Sequence, residues 1–427
     1  MKLSVEGYKS IASKQELSFD GLTILAGANS SGKSSFMQPF LILKQTIENH
    51  YDSGALVLYG ENAKLTDSSQ IISKVPNYDS QSFSVCMDKG PESCAASYVY
   101  KEEAGLQINR IYATGKNHPK GLELTLSTSS EAIDSAIVAN EFNIVREYYK
   151  KLKDQPTWKA VREKCFLKAE FSVDKGFSPF RAGIEPAAPL AEFITKLIHV
   201  PGVRGNPERT YKIAASDDIY PGSFEKYIAS LIKDWSIGTK HKAKYKTLQS
   251  QLVDLGLASH ITASKVDDTS VEIKVSRNKT GPESDCVNIA DVGFGVSQTL
   301  PLLVALLAAQ KGQPVYIEQP ELHLHPKAQF KLASVIIAAV NRGVRVIIET
   351  HSSILIRGIQ LAVAKKQLNS KKVSLNWFTQ DCETGETKVD QAGLDEQGAF
   401  GDWPEDFDET SLKVEQMYLD AVEESLS

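Results

Sequence analysis

Residues Gly27 to Ser34 read G-A-N-S-S-G-K-S, and what flanks this octet fixes the kind of fold that can hold it. Leu22-Thr23-Ile24-Leu25-Ala26 precedes it as a short apolar run with the length and β-branched content of a buried strand. Ser35-Phe36 through Ile47 follows with helix-like apolar spacing. Strand, glycine loop and helix in that order form the Walker A arrangement. Gly27 and Gly32 let the backbone curl, so that amides from Asn29, Ser30, Ser31 and Ser35 and the helix N-terminus face a polyphosphate. Lys33 is the side chain for the β- and γ-phosphates, and the Ser34 hydroxyl is the one for Mg²⁺. The pattern predicts an α/β chain that takes ATP and Mg²⁺ as cofactors.

A second set of elements lies far downstream. Pro314-Val315-Tyr316-Ile317-Glu318 is a buried-strand candidate ending in a carboxylate, followed by Gln319-Pro320-Glu321. That is the form of a Walker B strand, whose terminal acid orients the water shell of Mg²⁺. Pro326 to Asn341 reads as a helix with proline in its first turn. Gly343 to Ser352 reads as another buried strand ending in a polar switch, with His351 placed to sense a γ-phosphate. Before these, Asn288 to Gln298 carries a glycine-rich turn (Gly293, Gly295, Ser297) that opens the helical run Thr299 to Ala309. Such a turn offers amides and a helix dipole to an anion without completing a site. It suits a signature loop that reaches across a dimer to the partner's γ-phosphate.

Walker A, a long insertion, signature-like loop, Walker B and histidine switch, in this order, resemble ABC-type ATPase heads. Within the AAA-family ATPases they look most like the SMC-like branch that includes the OLD-family and Septu-type ATPases of bacterial anti-phage systems. Leu3 to Ile11 and Leu22 to Asn29 resemble the opening of that branch, with Leu25 in place of the usual isoleucine. Ile317 to Pro326 resembles its extended Walker B and D-loop, and Gly401 to Phe407 the ending of some of its members. The likeness covers roughly residues 1–50 and 286–408. It implies an ABC-type P-loop head with a mixed central sheet, an antiparallel β lobe and a helical insertion. It also implies a homodimer or higher homo-oligomer formed through the heads, and control of a separate effector, a nuclease, in anti-phage defence.

Three positions depart from the pattern. Gln319 stands where such heads carry the catalytic glutamate; an amide cannot accept a proton, although it can orient water. Glu321, two residues on, is then the alternative base. Glu318 replaces the usual aspartate, and Gly293 replaces a serine in the signature, which leaves the γ-phosphate contact to backbone amides or to Ser297. Slow or gated hydrolysis is the expectation. His323 and His325 read as a D-loop contact across a dimer rather than a metal pair.

Between the two halves, Gln81 to Ser127 reads as a strand-rich meander, Glu131 to Cys165 and Ser223 to Leu257 as mostly helical, and 258–277 as strands. The expected units are an N-terminal head portion (1–130), a mainly helical insertion (131–257), a C-terminal head portion (258–400) and an acidic tail (401–427). From Asp402 to Ser427 there are nine acidic residues and one lysine, a net of −8, so the net charge of −5 leaves +3 for residues 1–401. Such a tail suits docking on a basic partner or simple solvation. Two basic stretches interleave aromatics, at 146–164 and 240–246; each reads either as a nucleic-acid track or as a solvated helix face. Arg204 and Arg209, in a Gly-Asn-Pro turn, either reach a nucleotide or the opposite head or sit on a plain surface turn.

No apolar run approaches the roughly 18–20 residues of a membrane span. Met1 to Glu6 begins with strand alternation rather than a leader, and five scattered cysteines suit a reducing compartment, so the expected location is cytoplasmic. After His351, 76 residues remain, into which no nuclease domain is expected to fit, and this places effector chemistry elsewhere. Two other readings stay open: an ATPase clamp acting on DNA in repair or maintenance, and an ATP-stabilised scaffold that does not hydrolyse.

Overall fold

The computed structural model describes residues 1–76, 78, 80–137, 157–173, 180–215, 218–276, 285–401 and 416–420. The chain starts with an antiparallel pair, β1 (Lys2–Glu6) and β2 (Gln15–Ser18), then β3 (Leu22–Gly27), whose six residues are all buried. The glycine loop leads into α1 (Lys33–Glu48). A meander follows: β4 (Ser82–Lys89), β5 (Glu92–Lys101), β6 (Gly105–Gly115) and β7 (His118–Leu124). It joins β1 through β4 in a six-stranded sheet ordered β2-β1-β4-β5-β6-β7. Period-two burial drives this lobe: Phe83, Val85 and Met87 turn inward with Cys94, Ala96 and Tyr98, and Phe83 stacks on Tyr98 at 5.1 Å.

α2 (Ser130–Ala136), capped by Ser129, is followed by β8 (Thr157–Glu163), β9 (Phe166–Val173) and β10 (Phe180–Ile184), a three-stranded antiparallel sheet. This corrects the expectation of helix as far as Cys165. Exposed Thr157 and Lys159 alternate with buried Trp158 and Ala160, and Trp158 packs edge-on against Phe171 at 5.0 Å across the β8–β9 pair. Cross-strand burial of large aromatics outweighs the weak helix preference of the neighbouring charged residues.

Next come α3 (Ala188–Lys196), β11 (Ile198–Val200), β12 (Tyr211–Lys212), α4 (Ile228–Ile237) and α5 (Lys242–Asp254). β13 (His260–Lys265), β14 (Ser270–Ser276) and β15 (Val287–Asn288) form a small sheet with β12. The chain then enters α6 (Phe294–Ala308), β16 (Pro314–Glu318), α7 (Pro326–Asn341), β17 (Arg345–Glu349), α8 (Ser353–Ala364), β18 (Val373–Gln380) and β19 (Thr387–Gly393). Every residue of α6 from Val296 to Ala308 is buried, as expected of a helix enclosed on all sides.

The central sheet runs β11-β16-β17-β3-β18-β19, parallel except for the last pair. β11 thus brings an edge strand of this sheet out of the stretch read as helical insertion. Alternate residues feed two cores. Ile24, Val315, Ile317, Val346 and Ile348 face α6, α7 and α8, whereas Leu25, Tyr316, Ile347 and Phe378 face α1 and the β lobe. The sheet is a partition, and the parity of each strand decides which side its terminal carboxylate enters.

Candidate nucleotide site

The glycine loop lies at the carboxyl end of β3. Gly27 has φ +140°, and a Cβ there would meet the Phe378 carbonyl oxygen at 2.2 Å. Gly32 has φ +99°, and its Cβ would meet Thr387 Oγ1 at 2.3 Å. That hydroxyl is pinned between Ser10 Oγ (2.8 Å) and the Ser31 carbonyl (2.9 Å), so β19 buttresses the loop from behind. Gly32 caps α1 without a side-chain acceptor, which leaves the first-turn amides of Lys33, Ser34 and Ser35 to an outside anion. Asn29 and Ser30 are exposed at the loop tip, and Ser30 adopts φ +63°. Ser31 is buried, and its Oγ has no hydrogen-bond partner.

Lys33 is buried, and its Nζ donates to the carbonyls of Gly27 (3.0 Å) and Ala28 (2.6 Å). Burial lowers its pKa, while the nearby charges of Glu349 and Glu321 pull it upward. An uncapped helix start, an unpartnered hydroxyl and a lysine resting on its own loop carbonyls together fit a polyphosphate. The strand-end carboxylates beside them fit its divalent cation.

β16 and β17 end in register, with Glu318 opposite Glu349. Both follow a residue facing the α6 side (Ile317, Ile348), so both enter the α1 side. Glu318 was expected beside Ser34, but it is drawn elsewhere: Oε1 is 3.0 Å from His199 Nε2, and Oε2 accepts from the Gly202 amide at 2.9 Å. His199 is fixed in turn by Asn62 Oδ1 at 3.2 Å and stacks on Tyr316 at 5.4 Å. Burial alone would raise the Glu318 pKa; the hydrogen bond and charge of His199 and the Gly202 amide outweigh it and hold the pKa down. Ser34 Oγ instead donates to Glu349 Oε1 at 2.8 Å, and Tyr316 donates to Glu349 Oε2 at 2.9 Å. Glu349 is 4% exposed, and burial raises its pKa against the pull of Ser34.

After Glu318 the backbone turns sharply. Gln319 takes φ +43°, and its amide donates to the Glu349 carbonyl at 2.7 Å. A non-glycine residue held in this region costs about 1–3 kcal/mol and persists only where its surroundings enforce it. The turn presents Glu321, whose Oε1 accepts from the His351 amide at 2.7 Å and whose Oε2 is buried with no partner. Burial raises the pKa of Glu321. Burial and Lys33 lower that of His351, whose side chain stands at the end of β17. Lys33, Ser34, Glu349, Glu321 and His351 thus gather at the carboxyl end of the sheet, with Gln319 in the turn beside them and Glu318 turned to His199 and Gly202.

Gly293, Gly295 and Ser297 do not join them. Among the described residues no hydrogen bond links these three to the glycine loop. Gly293 is an N-cap without a side-chain acceptor, and Phe294 beside it is 53% exposed, its ring 5.7 Å from His323. Ser297 is buried, its hydroxyl donating to the Phe294 carbonyl at 3.2 Å, so the exposed tip offers amides and not this side chain. His325 caps α7 through the Lys327 amide. Of the two arginines in the turn, Arg204 is internal. It donates to the Gln298 carbonyl (2.5 Å) and the Glu318 carbonyl (3.2 Å), tying α6 to β16, whereas Arg209 pairs with Asp291 on the surface.

The basic stretch at 240–246 is partly used up. Lys244 lies 5.6 Å over the Trp235 ring and reaches the Ala308 carbonyl, and Tyr245 donates to the Ile261 carbonyl at 2.5 Å. Of the other stretch, 146–156 lies outside the described residues and 157–163 is β8. The tail from Asp402 also lies outside them, apart from a helical stretch at 416–420.

Glu349, Tyr316 and His199 are site residues that sequence reasoning did not single out. Glu349 carried a usable signal: Val346-Ile347-Ile348-Glu349 repeats the form of Val315-Tyr316-Ile317-Glu318. His199 carried none, since a three-residue edge strand has no periodicity to read.

This geometry fits a nucleotide-binding domain, and two family models identify it as an ATPase domain of the AAA class. The family described as "AAA ATPase domain" matches residues 1–175. The family described as "AAA domain, putative AbiEii toxin, Type IV TA system" matches residues 114–357, more than half of the chain, and the chain belongs to it. Among solved structures, the chain is similar to an SMC head bound to the C-winged-helix domain of ScpA. Identity is 14%, with 92% of this chain and 97% of that one covered, at a TM-score of 0.44. A Pyrococcus furiosus SMC head with an extended coiled coil, bound to the C-terminal domain of ScpA, is 10% identical over 92% and 96%, at 0.41. The Thermotoga maritima SMC head domain is 8% identical over 91% and 97%, at 0.35. No curated protein matches the chain. No described helix is long and apolar enough to cross a membrane.

Proposed function

We propose that this chain is an ATP-hydrolysing head of the ABC type that pairs head to head with a second copy. Its nucleotide state then gates a separate effector, a nuclease acting in defence against phage. One observation carries the reading. Lys33, Ser34 and the carboxylates of Glu318, Glu349 and Glu321 converge at the carboxyl end of one parallel sheet, while the uncapped, exposed start of α6 stands apart from them. Each chain therefore offers a nearly complete catalytic half and a separate anion-binding helix end, which a second chain can use. The separate effector and the defence role rest on the likeness of the sequence motifs to OLD- and Septu-type ATPases.

In this reading Lys33 exchanges the Gly27 and Ala28 carbonyls for phosphate oxygens. Glu321 Oε2, buried and unpartnered, receives the proton of the attacking water, and the Gln319 side-chain amide orients that water. His351, tied through its backbone to Glu321, reports the γ-phosphate to the same turn. Bound Mg²⁺ supplies charge neutralisation along the polyphosphate, and Ser34 with a strand-end carboxylate would hold it.

The test is sedimentation velocity of the full chain without nucleotide, with ADP, and with ATP in the slow-hydrolysing variant Glu321→Gln. Dimer formed only with ATP, and lost in Lys33→Ala or when Gly293 is replaced by glutamate, is the expected result. An oligomeric state indifferent to nucleotide would sink the proposal.

A further inference from the structure

We infer that Glu349, at the end of β17, is the carboxylate that holds Mg²⁺ with Ser34, and that Glu318 is kept off the metal as an anchor for the His199–Gly202 segment. This rests on the reading of the site as an Mg²⁺–ATP site.

Both Glu318 oxygens are already taken by fixed nitrogen donors, His199 Nε2 at 3.0 Å and the Gly202 amide at 2.9 Å. His199 cannot swing away cheaply, because Asn62 holds its other ring nitrogen and Tyr316 stacks on its face. Glu349 differs in kind: its two partners are hydroxyls, Ser34 Oγ at 2.8 Å and Tyr316 at 2.9 Å. A carboxylate that is 4% exposed needs a counter-charge. Among the described residues no salt bridge reaches Glu349: the Lys33 charge acts on it only from beyond ion-pair distance, its Nζ resting on the loop carbonyls.

Position leads to the same assignment. In a Walker A loop the serine after the lysine is a ligand of Mg²⁺, so the carboxylate already bonded to that hydroxyl lies where the metal's oxygen shell must form. Mg²⁺ sites use one or two carboxylates beside the phosphates, and the ligating carboxylates are themselves oriented by outer hydrogen bonds. Tyr316 OH on Glu349 Oε2 is such a bond, leaving Oε1 on the Ser34 side. Glu349 is the last residue of β17, two residues before His351 in the turn that follows, and its carbonyl accepts from the Gln319 backbone amide at 2.7 Å. Metal occupancy and the γ-phosphate sensor are thus adjacent in the chain, at the strand end and the turn after it.

The experiment measures the affinity of a fluorescent ATP analogue for the full chain in Mg²⁺ and in EDTA. The readout is the ratio of the two, with folding checked by thermal melts. Glu349→Gln should lower the Mg²⁺-dependent gain by about tenfold or more while leaving the EDTA affinity within about twofold, and Glu318→Gln should lower it by less than about threefold. Tyr316→Phe, which removes only the outer hydrogen bond, should lower the gain by about tenfold and would have no effect if Glu349 were merely structural. Mn²⁺ titrated with ADP and followed by electron paramagnetic resonance should show weakened Mn²⁺ binding in Glu349→Gln but not in Glu318→Gln. The reverse ordering, or an undiminished gain in Glu349→Gln, would overturn the assignment. A wild-type chain that binds no nucleotide in either buffer would instead remove the ATPase reading itself.

Discussion

Glu321→Gln is the substitution that most directly separates binding from chemistry. Glutamine keeps Oε1, and with it the 2.7 Å bond from the His351 amide. It changes Oε2, the oxygen that is buried and has no partner. The ground state therefore loses little, and nucleotide affinity should stay within about twofold. What is lost is the ability to accept a proton. General-base catalysis contributes about 10²–10⁴-fold, so turnover should fall by that factor, about 3–5 kcal/mol of barrier at roughly 1.4 kcal/mol per tenfold.

The pH profile sharpens the test. Burial raises the Glu321 pKa, and a base works only when unprotonated. Wild-type turnover should accordingly decline as pH falls through that raised value, placing the acidic limb above the ordinary glutamate value of about 4.3. Glu321→Gln should lack this limb. Steady-state phosphate release across pH, with Lys33→Ala as the blank, gives both quantities. Turnover within about threefold of wild type with the limb intact would refute the assignment of the base. Gln319→Glu makes the complementary case: if Glu321 is the base, a carboxylate at 319 adds little, whereas a gain of about tenfold or more would identify Gln319 as a built-in block.

Gly32→Ala combines a left-handed backbone with a Cβ 2.3 Å from a hydroxyl fixed by two partners. It should cost about 2–4 kcal/mol in urea unfolding, and a loss below about 0.5 kcal/mol would contradict the geometry. Arg204→Ala strips two internal carbonyls of charged donors and should destabilise by about 2–4 kcal/mol by the same measure, with Arg204→Lys recovering little because a single ammonium cannot span both. Charge reversal at the exposed Lys240, Lys242 and Lys246 should leave ATP turnover unchanged with or without duplex DNA, because Lys244 and Tyr245 are turned inward. DNA-stimulated turnover lost in that variant would revive the clamp reading.

What could be read from the sequence was local, and what could not was a matter of which distant groups meet. The span of α7 was legible from Pro326 to Asn341 because a first-turn proline and a 3.6-residue period lie within one stretch. The lobe strands β4 to β7 were legible because period-two burial and turn residues are also local. β8 was misread because its alternation is short, Thr157 to Ala160, and the pairing that makes Trp158 a strand residue is with Phe171 on the next strand. The site shows the same limit more sharply. Strand parity, once Ile317 and Ile348 are known to face the α6 side, sends both Glu318 and Glu349 toward α1. Yet the identity of the acid that meets Ser34 is decided by competition. His199, 119 residues before Glu318, claims one carboxylate and leaves the other to the loop. A motif can name the kind of acid a strand end should carry, but its partners come from elements the motif does not contain. The replacement of aspartate by glutamate at 318 is then intelligible, since the longer arm reaches the His199–Gly202 segment while Glu349, one strand nearer β3, faces the loop.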